Sequence, residues 1–284
     1  MLRSKSIVLK KIYWNFFKRN IFGITGPIRV LPDFIIIGAM KCGTTSLYYD
    51  ICEHPCTLAA AYDEIGFFDS NFHLGLNWYR SMFPRKKQIE DIRKREGMAI
   101  TGEDTPFYFW NPLAAKRMQK ILPNAKLIVI LRNPIDRAYS QYQDVVSREP
   151  NYTSFETIVK NEISMQETYP NSITEENFEV FNKKASYLLK GIYVEQLKIW
   201  TKLFSEKNIL ILSTETLNSE PIATLKSVFQ YLNLPYYKIK NPQHQKQKKY
   251  DPINPKTRKL LIEFFKPHNE RLFKLIGKKF EWDY

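Results

Sequence analysis

Residues 38–46, Gly-Ala-Met-Lys-Cys-Gly-Thr-Thr-Ser, place one cation, three consecutive hydroxyls and two glycines within nine positions. That set suits an anion with several oxygens. Lys41 supplies a full positive charge, and Thr44, Thr45 and Ser46 supply O–H donors. A short loop of small residues opening into a helix also leaves backbone N–H groups free to face an anion. Cys42 and Gly43 belong to the same cradle. An ordinary capped turn accounts for the glycines and one hydroxyl, but not for a lysine together with three hydroxyls. The spacing is not that of a Walker A loop, Gly-x4-Gly-Lys-Ser/Thr, because the lysine precedes the second glycine by two positions.

A second candidate follows the apolar run at 126–131, which ends in Arg132-Asn133-Pro134. A metal-dependent kinase or NTPase of this class holds Mg²⁺ there with an aspartate. An arginine repels a metal and attracts a second anion. Pro134 suits a first helical turn, and Ser140, about two turns along that helix, is placed to reach the same anion as Arg132. A salt bridge from Arg132 to Asp136 or Glu103 is the competing reading. Together the two motifs imply a nucleotide with two separate phosphate-bearing ends, handled without an essential metal. His54, His73, His244 and His268 share no metal-ligand spacing with one another or with Cys42, Cys52 and Cys56. Cys42 is either a reactive thiol near a helix start or, the preferred reading, a small filler.

Three short apolar runs position these loops: residues 32–38, 126–131 and 208–212, all rich in β-branched residues. Each reads as a strand buried on both faces. Helix-like stretches at 112–122 and 187–204 lie between them. Strands alternating with helices imply an α/β fold, expected as a P-loop-like three-layer α/β/α domain with a central parallel sheet. Residues 144–186 and 238–255 read as polar surface excursions. The chain has 284 residues and a net charge of +14, with 44% hydrophobic residues, which excludes wholesale disorder. The excess charge sits at the ends. Residues 1–30 carry seven Lys/Arg and no acid, whereas 31–237 are nearly neutral. The expected organisation is a basic amphipathic segment at 1–30, either suited to peripheral membrane contact or a lead-in element packed on the domain, followed by one domain at 31–284. The odd, clustered cysteine count disfavours a disulfide scaffold.

The ordered motifs at 32–55, 64–84, 101–110, 126–142, 191–200 and 267–277 resemble the sulfotransferases that use 3′-phosphoadenosine 5′-phosphosulfate, in particular the heparan sulfate glucosaminyl N- and 3-O- type and its bacterial relatives. The resemblance implies that Lys41, Cys42, Gly43, Thr44, Thr45 and Ser46 hold the 5′-phosphosulfate and that Arg132 and Ser140 hold the 3′-phosphate. It implies Glu64 as the catalytic base, with Asp63 as the neighbouring candidate, and Lys41 as a catalytic cation. It also implies that Lys246, Lys248 and Lys249 form a basic loop over the nucleotide. Gly66 and Asp104 depart from the pattern, standing where many relatives have His or Gln and Lys respectively. Glu103 is then expected to orient Lys41 or Arg132, and Trp78, Tyr79 and Arg80 either line an acceptor cleft or pack in the core. The implied function is sulfuryl transfer to a hydroxyl or amine of a glycan, glycolipid or small molecule, with no metal and no nucleic-acid partner. The vertebrate enzymes' membrane anchor and late disulfide have no counterpart in this sequence, so a cytoplasmic location is expected. A small-molecule kinase and a non-enzymatic module for anionic surfaces are the competing classes.

Overall fold

The structure, a computed structural model, describes residues 22–149, 151–168, 174–183, 187–239, 242 and 251–282. Five parallel strands form one sheet: β1 (Phe34–Gly38), β2 (Thr57–Ala59), β3 (Ile100–Asp104), β4 (Lys126–Leu131) and β5 (Ile209–Ser213), in the order β2-β3-β1-β4-β5. The three apolar runs become β1, β4 and β5. Every residue of β1 is buried, as a central parallel strand covered on both faces requires, whereas β5 lies at the sheet edge and its Ile209, Leu210 and Ile211 are only half-buried, against the expectation of a strand buried on both faces.

β2 and β3 carry weaker signals. β2 is three residues long, and β3 reads Ile-Thr-Gly-Glu-Asp, whose glycine and two acids obscure a strand that is nonetheless fully buried. Gly102 is there because of Phe34 on the neighbouring strand. A Cβ at position 102 would lie 2.4 Å from the Phe34 ring.

After β1 comes α1 (Thr44–Cys52); between β3 and β4 lies α4 (Pro112–Ile121), preceded in the chain by α2 (Leu76–Ser81) and α3 (Lys86–Glu96). After β4 come α5 (Pro134–Val146), α6 (Phe155–Thr168), α7 (Phe178–Lys183) and α8 (Tyr193–Leu203), and after β5 come α9 (Thr214–Ser219), α10 (Pro221–Tyr231) and α11 (Pro255–Ile276). The connection from β1 to β2 runs one way across the sheet, and those from β3 to β4 and from β4 to β5 run the other. Right-handed crossovers therefore put α1 on one face and α4, α5 and α8 on the opposite face. The packing agrees: α1 meets α10, while α8 meets α4 and α11, and α11 meets α5.

Two elements differ from the sequence expectation. The polar stretch 144–186 contains the end of α5 and both α6 and α7, because Phe155, Ile158, Val159 and Ile163 keep a helical period among polar neighbours; Phe155 and Val159 are buried. The helix expected over 187–204 begins at Tyr193, after a tight turn at Leu189–Gly191. At Gly191 the chain presses on Phe265 and Pro134, with a notional Cβ 3.0 Å from each. The described part of the N-terminal segment packs onto the domain. Arg29 donates to the Phe83 carbonyl at 2.6 Å, and a Cβ on Gly26 would meet the Asn77 backbone at 2.7 Å.

The Gly102–Phe34 contact yields a stability prediction. Gly102→Ala forces the ring to move inside a packed sheet and should lower unfolding stability by about 1–3 kcal/mol, read from the denaturant midpoint at unchanged slope.

Candidate active site

β1 and β4 are neighbours, yet the chain leaves β1 toward β2 and leaves β4 toward β5. Divergent connections open a crevice beyond the carboxyl ends of such a pair. A cavity of about 760 Å³ lies there, bordered by residues 40–46, Glu64, Arg132 and Ser140. Its volume lies within the range of small-molecule and cofactor sites. Lys41, Cys42, Gly43, Thr44, Thr45, Ser46, Glu64, Arg132 and Ser140, scattered over a hundred positions of sequence, therefore border one space. Lys246, Lys248 and Lys249 lie outside the described residues.

The cradle is shaped by backbone constraints. Gly38 is needed because a Cβ there would lie 2.4 Å from Cβ of Phe109. Lys41 has a left-handed backbone (φ 66°), and Gly43 repeats that hand (φ 88°) as the residue capping α1. The first N–H groups of α1 consequently open toward the cavity. Thr214, at the start of α9, has its hydroxyl 2.7 Å from the Cys42 carbonyl and 3.0 Å from that of Leu131, so one side chain joins the cradle to the end of β4. The Cys42 thiol is buried, 3.8 Å from the Tyr193 hydroxyl, and burial pushes its pKa up to about 11. It is a filler, not a reactive thiolate.

Arg132 points its guanidinium to the carbonyl of Lys41 at 3.5 Å, and its own carbonyl accepts from Tyr193 at 2.9 Å. Neither competing salt bridge forms. Asp136 is paired with Arg258 at 2.9 Å, and Glu103 is engaged by the hydroxyls of Tyr79 (2.5 Å), Thr105 (2.7 Å) and Tyr108 (3.3 Å). Glu103 thus orients neither Lys41 nor Arg132. It stands in the aromatic core, where a carboxylate needs hydroxyl partners to compensate its desolvation. Asn133 is held by Glu215, which accepts from its N–H at 2.8 Å and from Trp282 at 3.1 Å, so the turn after β4 is anchored from two elements.

The opposite wall is acidic. Glu64 has solvent access within the cavity, and its N–H donates to the Asp104 carbonyl at 2.9 Å, fixing it beside the end of β3. Its backbone is left-handed (φ 53°). Three described non-glycine residues adopt positive φ, and two of them are Lys41 and Glu64; the third, Asn233, is of a type that tolerates this region. Such strain clusters at functional sites. Burial, then the charge of Asp63, raise the Glu64 pKa, while Lys41 opposes them. Asp63 accepts a hydrogen bond from the Tyr49 hydroxyl. Gly66 is left-handed (φ 62°), and a Cβ there would meet Asp69 at 3.0 Å, which accounts for glycine at this departure from the family pattern.

Sequence reasoning passed over Asp144. Its carboxylate lies 3.5 Å from the Lys41 ammonium and also pairs with Arg148, so a bound anion competes with it for Lys41. The signal was present in the spacing, since Ser140 and Asp144 are four residues apart on one helical face. Thr214 carried no such signal. Trp78 and Tyr79 belong to the core, where Phe67 stacks on Tyr79 at 4.3 Å between centroids, and neither borders the cavity. His54 is also structural. Its Nδ1 accepts from Cys56 N–H, its Nε2 meets the Pro235 carbonyl at 3.0 Å, and burial lowers its pKa.

Three carboxyls, buried Glu103 and Asp104 and half-buried Glu162, are displaced upward mainly by desolvation: Glu103 to about 7, Glu162 to about 7 and Asp104 to about 8. A carboxyl whose folded pKa exceeds its unfolded value contributes stability that is complete below the unfolded pKa and lost as pH rises through the folded one. Unfolding stability should therefore decline from about pH 5 to pH 8. Glu162→Gln should flatten part of that decline in denaturant titrations.

The sequence model of the family described as "Sulfotransferase domain" matches residues 31–282. Over 326 aligned residues the chain is 27% identical to the membrane-associated sulfotransferase kil1 of Dictyostelium discoideum, covering 91% of this chain and 68% of that protein. It is 29% identical to heparan sulfate glucosamine 3-O-sulfotransferase 3A1 of Mus musculus, covering 89% of this chain and 65% of that protein. It spans 30% of the length of the mouse bifunctional heparan sulfate N-deacetylase/N-sulfotransferase 4, at 27% identity. Among solved structures, the crystal structure of a sulfotransferase from Alicyclobacillus acidocaldarius superposes with a TM-score of 0.64 at 26% identity, covering 88% of this chain and 98% of that one. The strand-loop-helix cradle, the arginine after β4 and this match over nearly the whole described domain lead to one conclusion: the chain belongs to the sulfotransferase domain family.

Proposed function

We propose that the protein transfers a sulfuryl group from 3′-phosphoadenosine 5′-phosphosulfate to a hydroxyl or amine of a carbohydrate. One observation carries this reading: the Lys41 cradle, Arg132 and the carboxylate of Glu64 border a single cavity. The residues fit such a donor. A cation and helix N–H groups stand at the end of β1, a second cation with the Ser140 hydroxyl stands at the end of β4, and the volume admits a nucleotide. When bound, the donor supplies the sulfuryl group and a phosphate as leaving group.

Lys41 and the N–H groups of α1 stabilise the charge that grows on the departing phosphate oxygen. Arg132 and Ser140 hold the second phosphate and with it the register of the nucleotide. Glu64 takes the proton from the attacking acceptor as the new bond to sulfur forms. Its raised pKa makes it a stronger base than an ordinary surface carboxylate. The names of the relatives, heparan sulfate glucosamine sulfotransferases among them, support a glycan as acceptor class. The basic segment at 1–30 is proposed to make peripheral contact with an anionic membrane.

Binding of 3′-phosphoadenosine 5′-phosphate, followed by calorimetry, should weaken at least tenfold in Lys41→Ala and in Arg132→Ala. Glu64→Gln should bind this nucleotide like the wild type but lose about 10²–10⁴-fold in the transfer rate to a glycan acceptor. The wild-type rate should rise with pH as Glu64 ionises. Unchanged nucleotide affinity in both cation variants would overturn the assignment. Sedimentation with phosphatidylserine vesicles should fall when residues 1–21 are deleted, and fall with salt in the full chain.

A further inference from the structure

Asp104 closes β3 and has no exposed surface. Neither carboxylate oxygen has a hydrogen-bond partner, an expensive arrangement for an ionised group. The Thr45 side chain is its neighbour, and that contact favours the ionised form. Thr45 is in the first turn of α1 and borders the cavity together with Lys41. Asp104 therefore lies directly behind a residue in reach of the donor's anion.

The titratable groups that face Asp104 come from three places: Tyr48, Tyr49 and Cys52 on α1, Asp63 and Glu64 in the segment after β2, and Glu103 on its own strand. All are neutral or negative, and no cation is among them. Burial first, and then the Asp63 charge, push the Asp104 pKa up to about 8.

A hydroxyl has one hydrogen to give and two lone pairs to offer. While Asp104 keeps its proton it can donate to Oγ1 of Thr45, and the Thr45 hydrogen is free to point into the cavity. Once ionised, Asp104 can only accept. It then takes the Thr45 hydrogen, turns lone pairs toward the anion and adds a negative charge behind them. We propose that Asp104 is a positioning residue that holds a proton for Thr45 and so aims the Thr45 hydroxyl hydrogen at the phosphosulfate end of the donor. This rests on the reading of the cavity as the donor site.

The test is the affinity for 3′-phosphoadenosine 5′-phosphate between pH 6.5 and 9.5, measured by calorimetry on the full chain and on Asp104→Asn and Thr45→Val. Wild-type affinity should fall on the order of tenfold as pH rises through about 8, the loss of one hydrogen bond to a charged group. Asp104→Asn, whose amide donates to Thr45 at every pH, should match the wild type at pH 7 and lose the alkaline fall. Thr45→Val should bind more weakly throughout, with a shallower alkaline fall than the wild type. The same alkaline loss in Asp104→Asn as in the wild type, or a wild-type affinity independent of pH, overturns the proposal while leaving the donor site intact. Wild-type protein that binds no nucleotide at any pH overturns the donor-site reading and the proposal with it.

Discussion

The pairing of β1 with β4, two central parallel strands whose outgoing connections part in opposite directions, is the constraint on which the molecule depends. Where the backbone diverges, no side chain fills the space beyond the strand ends, and helix N-termini point into it. Lys41 leaves one strand and Arg132 the other, so two cations separated by about ninety positions share one cavity. The Thr214 hydroxyl, set against the carbonyls of Cys42 and Leu131, fixes the distance between the two loops from a third element.

Electrostatics divides the cavity. The β1–β4 side carries the cations, with Asp144 beside Lys41, and the dipole of α1, whereas the side next to β3 carries Glu64, Asp69 and, behind them, Asp104. Holding this arrangement requires strain and desolvation. Lys41 and Glu64 adopt left-handed backbones, and Glu103 and Asp104 are buried carboxyls with raised pKa values. The dense packing of Phe34, Phe67, Tyr79 and Tyr108 around them supplies the rigidity that such local cost demands.

Much of this was legible in the residues. The continuous apolar runs at 32–38, 126–131 and 208–212 read as parallel strands, and the loops that follow the first two carry their chemistry in adjacent residue types; that the last run forms a half-buried edge strand was set by its place in the sheet. β3 was not legible because its glycine answers to Phe34 on another strand and its two acids to partners far away in sequence. The helix α6 was diluted by polar neighbours. Trp78 and Tyr79 were ambiguous for the opposite reason, since an aromatic near a cavity carboxylate in sequence can face either a cleft or a core.

The sequence by itself determined the fold class, the family and the two loops that border the cavity, because each of these is written in contiguous residues whose backbone and chemistry are local. Only the tertiary structure decided which carboxylate does what. Glu64 faces the cavity, Glu103 is absorbed by tyrosines, Asp104 backs Thr45 and Asp144 meets Lys41. A carboxylate's role depends on its desolvation and on which donors or charges stand within a few ångströms, and chain folding brings those together from elements that share no sequence neighbourhood.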